Sequence, residues 1–222
     1  MNKRIPTVIA SSVLAASAGL AMVSSAYAEN LKVEPGVFVG KAGDCGTGYP
    51  AGHKIVGAEW VKNIGLPDQH GGDSQALILS KNGPTTDCSA AGADIKGVKG
   101  IKLTEIGFDI RNGGHCGSGA PRFNVEATDG SHFVGGCANG TQTPNTPQAG
   151  WTRVRINPAN PAQAFPPIAP GATIKSISII FDEGVDTGPD FSGMAIIDNI
   201  DINGTLIGQA QGQNPGQGGQ EE

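Results

Sequence analysis

Along most of the chain, apolar and polar residues alternate with a period of two, which predicts strands rather than helices. Ile106, Phe108 and Ile110 share one face of such a segment, with Glu105, Asp109 and Arg111 on the other. Residues 122–128 and 131–134 flank Asp129-Gly130, a two-residue hairpin signal. Phe123, Val125 and Ala127 take the inner face there, and Arg122, Asn124 and Glu126 the outer one. Residues 151–156 repeat the pattern, with Thr152, Val154 and Ile156 inward and Trp151, Arg153 and Arg155 outward. β-branched runs cover 173–182 and 194–202, the second followed by an Asn203-Gly204 turn and a short strand at 205–207. Earlier candidates are 37–41, 53–61 and 75–80. The expectation is an all-β fold, a jelly-roll-like β-sandwich of about eight or nine short strands with little or no helix. The Pro-rich stretches 141–150 and 157–171 read as surface loops.

The first 28 residues depart from this pattern. Lys3 and Arg4 precede an apolar stretch over 8–23, and Ala26-Tyr27-Ala28 has the small-x-small form of a cleavage site. That reads as a signal peptide over 1–28 and predicts bacterial-type export to the periplasm, the cell surface or the medium, with no membrane span in the mature form. The domain is expected over 31–208, and the Gln/Gly-rich residues 209–222 are expected to be a disordered tail. The leader holds two of the 15 basic residues and none of the 20 acidic ones, so the remainder carries a net charge of −7. Such a surface argues against nucleic acid as a partner.

Export also decides how the four cysteines are read. In an oxidising compartment Cys45, Cys88, Cys116 and Cys137 are expected as two disulfides. Of the three connectivities, Cys45–Cys88 with Cys116–Cys137 is favoured, because the second pair brackets the predicted hairpin. A zinc site drawing on His53, His115 or His132 lacks ligand spacing.

Two groups of residues are candidates for chemistry. In 194–202 the even positions are Met194, Ile196, Asp198, Ile200 and Ile202, so a carboxylate falls on the parity expected to face the core. Asp182, Glu183, Asp186 and Asp190 lie just upstream, with no Lys or Arg between Asp182 and Asp201. Clustered carboxylates repel unless a cation bridges them, and hard oxygen ligands suit Ca²⁺, so a structural calcium held by these five acids is expected. The second group is the outward face of the central strands: Trp151, Arg153, Arg155, Arg122, Asn124, Asp109 and Arg111. A flat aromatic beside planar hydrogen-bonding groups suits sugar rings, whose C–H faces stack and whose hydroxyls pair.

No catalytic signature is present. Neither G-x-S-x-G nor H-E-x-x-H occurs. Glu105 and Asp109 stand four residues apart on a strand, about 13 Å, too far for a pair of glycosidase carboxylates. The closing strand Ile197-Asp198-Asn199-Ile200, after a leader and a strand-rich body, resembles secreted β-jelly-roll modules of the carbohydrate-binding kind. In many of those an Asp on the last strand ligates a structural calcium, which the resemblance implies for Asp198. The leading reading is a secreted, non-catalytic binding module with an extracellular glycan as ligand. The alternative is a structural or adhesive surface protein with a protein partner, and the third is a hydrolase with an unidentified catalytic pair.

Overall fold

The computed structural model describes residues 31–67 and 74–208. The leader and tail expected from the sequence lie outside the described residues. The first strands are β1 (Lys32–Val39), β2 (Val56–Val61), β3 (Ala76–Lys81), β4 (Ser89–Lys96) and β5 (Ile106–Arg111). The hairpin β6 (Arg122–Ala127) and β7 (Gly130–Gly135) leads into a 3-10 turn at Cys137–Asn139. Then come β8 (Thr141–Pro144), β9 (Trp151–Ile156), β10 (Ala164–Phe165), β11 (Ile174–Phe181), β12 (Met194–Ile202) and β13 (Thr205–Ile207). Two antiparallel sheets result, ordered β1-β4-β11-β6-β7-β10 and β2-β3-β12-β5-β9-β8, with β13 paired to β12. Their inner faces share one core, in which Phe108 and Phe123 meet at 5.8 Å between ring centroids.

The protein is thus the all-β sandwich expected from the alternation, with more strands. β4, Ser-Ala-Ala-Gly-Ala-Asp-Ile-Lys, has almost no β-branched or large residues to announce it. Its small side chains are what a strand between two neighbours needs here. A Cβ on Gly92 would come within 2.4 Å of the Ile179 carbonyl oxygen of β11. β1 begins at Lys32 rather than residue 37, and Pro35 is tolerated because β1 lies at a sheet edge. Thr141–Pro144, read as loop, pairs with β9 as an edge strand. The hairpin turn is displaced by one residue: Gly130, at φ 135°, pairs with Ala127, so the turn is Thr128-Asp129.

The parity expected for 194–202 fails at one point. Asp198 pairs with Asp109 of β5, and Asp201, three residues on, pairs with Gly107, two residues back. The extra residue is a β-bulge, with Asn199 at φ 45°. Ala195 and Ile197 face the core before it, and Ile200 and Ile202 after it. Asp198 and Asp201 therefore both stand on the outer face of the seven-stranded sheet, together with Met194 and Ile196. Asp198 is buried, but beneath the segment that carries Leu66 on the outer face rather than in the core between the sheets.

Both expected disulfides are formed, Cys45–Cys88 and Cys116–Cys137.

Candidate functional site

Strand pairing lines up one transverse row over all six strands of the first sheet. The partners run Glu34, Asp94, Ser178, Asn124, Phe133 and Phe165, each opposite the next. Five inter-strand steps of about 4.8 Å make this row about 24 Å long. A parallel row one repeat away reads Gly36, Gly92, Ile180, Arg122 and Gly135. The two glycines lower the floor, and a hollow of about 330 Å³ opens between Phe38, Asp94 and Ile180. A second hollow of about 240 Å³ lies between Asn124, Glu126, Phe133 and Phe165. Phe38 and Phe165 are each half exposed, at opposite ends of the sheet.

The polar groups of this face are held in place. Arg122 forks onto the Asp182 carboxylate at 2.6 and 2.8 Å and lies 4.3 Å over the Phe133 ring. Its Nε donates to Asn124 Oδ1 and so fixes the exposed Asn124 amide. Ser178 and Lys96 each donate to Asp94 at 2.9 Å. The Lys96 ammonium, and then the Ser178 hydroxyl, hold the Asp94 carboxyl below the usual carboxylate range. Such an open face can lay an extended ligand across the strands, with aromatic contact at both ends and fixed donors and acceptors in the middle.

The seven outward residues expected to bind together are divided between the two sheets. Only Arg122 and Asn124 belong to the face just described. Asp109, Arg111, Trp151, Arg153 and Arg155 stand on the outer face of the other sheet. There Trp151 is 4% exposed, packed with Leu66 and Ala76, so its ring has no free face for a sugar. Gly65 lets this covering segment lie close, since a Cβ there would sit 2.7 Å from Asp198 Oδ2. Asp109 is fully buried and accepts from Arg153 at 2.9 and 3.0 Å and from Asn199 at 2.9 Å. Arg155 reaches Asp201 at 2.7 Å. Asp109, Asp201, Arg153 and Arg155 thus form an ion-pair layer on this face, with the two arginines partly exposed. Arg111 is exposed beside Met194 and Ile196 at a small separate hollow.

The five acids expected to hold calcium do not converge. Asp182 is taken by Arg122, and Asp186 accepts from the Thr85 N–H and Oγ. Glu183 and Asp190 clamp the buried His115 ring from either side, at 2.6 and 2.7 Å. Asp198 accepts from the Leu66 and Asn199 N–H groups. Among the described residues no three His, Cys, Asp or Glu side chains form a metal-ligating group. Each of these carboxylates is engaged by its own protein donors rather than turned toward a common centre. Sequence reasoning missed Asp94, Ser178, Phe133 and Phe165, because their shared row depends on which strands become neighbours.

The comparisons with known proteins are few. No family model matches the chain, and no curated protein matches it. Among solved structures it is similar to the family 11 carbohydrate-binding module of the cellulosomal cellulase Lic26A-Cel5E of Clostridium thermocellum. The identity is 16%, the match covers 82% of this chain and 91% of that one, and the TM-score is 0.39.

One Ser, Asp and His set forms at the start of β4, in an order that activates nothing. Asp87 stands in the middle, accepting from Ser89 Oγ at 2.5 Å and facing His53 Nδ1 at 2.5 Å. The histidine touches Asp87 and not the serine hydroxyl, so the order is not that of a Ser-His-Asp triad. Burial raises the Asp87 carboxyl, but the hydrogen bonds from Ser89 and His53 outweigh it and bring it to about 2. A folded value below the unfolded one means stability present above pH ~4 and lost as pH falls from ~4 to ~2. In Asp87→Asn this acid limb should flatten. Melting midpoints of both proteins from pH 2 to 6 check it, and parallel curves would refute it.

Proposed function

We propose that the chain is an exported, non-catalytic binding module, and that an extended glycan lies across the outer face of its six-stranded sheet. The observation that carries this is the row Glu34, Asp94, Ser178, Asn124, Phe133 and Phe165, which joins the half-exposed Phe165 ring and the partly buried Phe133 ring to fixed polar groups over about 24 Å. A sugar chain needs both: C–H faces stack on rings, and hydroxyls pair with planar amides and carboxylates. The length favours a polysaccharide over a free sugar. The leader and the two disulfides support an oxidising destination outside the cytoplasm.

Retention on insoluble cellulose, chitin, xylan and mannan tests the reading. The mature protein is expected to be retained by at least one of them, and Asn124→Ala and Phe165→Ala to weaken that retention about tenfold each. Trp151→Phe is expected to bind as the parent does. Retention by none, or equal retention by the two face variants, would overturn the proposal. A second reading, surface adhesion through protein contacts, is favoured by the loop tip that exposes Val185 and Phe191, the latter by 60%. Self-association that Phe191→Ser abolishes would support it.

A further inference from the structure

The acidic end of the sandwich already contains a cation. Lys81, the last residue of β3, has no solvent exposure at all. Its Nζ donates to the carbonyl oxygens of Asp87 at 2.7 Å, Asp182 at 2.9 Å and Thr85 at 3.0 Å. Three acceptors match the three hydrogens of an ammonium, whereas a neutral amine has only two. Burial pulls the Lys81 amine below its ordinary value, and the nearby charges of Asp182, Asp87 and Asp186 oppose that pull.

The cage joins the two sheets. Thr85 and Asp87 belong to the turn leaving β3, while Asp182 follows β11 in the six-stranded sheet. Asp182 has two roles at once: its peptide oxygen binds Lys81, and its carboxylate holds Arg122 in a fork. Arg122 then covers the Phe133 ring and orients Asn124. A continuous set of contacts therefore runs from the sealed ammonium to the middle of the ligand row. Hard carbonyl oxygens around a positive charge are what a metal site offers, but here the charge is carried on a side chain.

We propose that Lys81 is a tethered cation that takes the place of a metal ion at this end of the fold, and that it is a positioning residue for the ligand face through Asp182 and Arg122. The second half rests on the glycan-face reading above; the first half does not.

Thermal melts, the ¹⁵N resonance of Arg122 Nε–H and polysaccharide retention test it in mature protein. Excess chelator and millimolar calcium are expected to leave the parent midpoint unchanged. Lys81→Met keeps the length but removes the charge and takes the ammonium donor from three carbonyl oxygens, of which that of Asp87 keeps the Ser89 N–H, so its midpoint should fall by roughly 10 °C. Below that midpoint its Arg122 Nε–H resonance should move toward that of a solvated arginine, with weaker retention. Should Lys81→Met fail to fold, Lys81→Ala with added propylammonium supplies the missing atoms; recovery with propylammonium but not tetramethylammonium is expected. A parent midpoint lowered by chelator, an unmoved Arg122 resonance, or no recovery would overturn the proposal. Arg122→Ala separates the two ideas. If it retains polysaccharide as the parent does, the ligand-face reading fails, while the melts and the resonance still decide the Lys81 cage. If Arg122→Ala loses retention and Lys81→Met does not, the positioning role alone fails.

Discussion

Asp109→Ala is expected to lower stability by about 3–5 kcal/mol without weakening ligand retention by the folded fraction. The carboxylate is completely buried and gathers both hydrogen bonds of the Arg153 fork and the Asn199 side-chain amide. Arg155 Nη1 is a further 3.6 Å neighbour. Removing one partner of a buried pair costs much more than the pair contributes, because the remaining charge stays in a poorly solvated place. Asn199 also sits at the bulge that sets the parity of β12, so loss of its partner loosens the strand that places Ile200 and Ile202 in the core. Denaturant unfolding beside the polysaccharide assay measures both parts. A loss below about 1 kcal/mol, or a folded variant that no longer binds, would contradict the division into a structural face and a ligand face.

Loss of the disulfides is the second large effect. They close loops with sequence separations of 43 and 21 residues. On the chain-entropy account these are worth about 4 and about 3 kcal/mol. A domain of this size has about 5–15 kcal/mol in total, so removing both approaches the whole margin. The consequences differ by position. Cys116–Cys137 ties the segment before β6 to the turn after β7, bracing the hairpin that carries Asn124 and Phe133. Cys45–Cys88 pins the exposed 41–51 segment to the start of β4, where Gly40 N–H also bonds the Cys88 carbonyl. Melts of Cys45→Ala with Cys88→Ala, and of Cys116→Ala with Cys137→Ala, are expected to show lower midpoints in both, the first pair losing more stability. Midpoints that a reductant leaves unchanged in the parent would refute the claim.

How far the sequence alone could be read varies from strand to strand. β5, β6, β9 and β11 were legible because large apolar residues alternate with polar ones in each. β4 was not, since its side chains are small for the sake of its neighbours β1 and β11. The inner face of β12 was assigned correctly only after its bulge, since strict alternation has no means of marking an inserted residue. Asn199 is the residue that breaks it, and Asn is among the side chains that tolerate positive φ, but that tolerance does not say where it is used. The cysteine pairing was favoured among three by its bracketing of one hairpin, a local feature.

The sequence by itself determined the class of fold and the direction in which most side chains leave their strands, and it favoured the observed pairing of the cysteines among three. These depend on short-range periodicity and turn chemistry. Only the tertiary structure decided which outward residues are neighbours. Arg122 and Arg153 have the same pattern in sequence, yet one forks onto Asp182 on the outer face of the six-stranded sheet and the other onto Asp109 on the outer face of the opposite sheet. It also decided that Leu66 covers Trp151, and that the acids of 182–198 find an arginine, a histidine and backbone amides instead of one ion. The physical reason is that alternation specifies the two faces of each strand, whereas the order of strands and the loops that fold over a face arise from contacts between residues far apart in the chain.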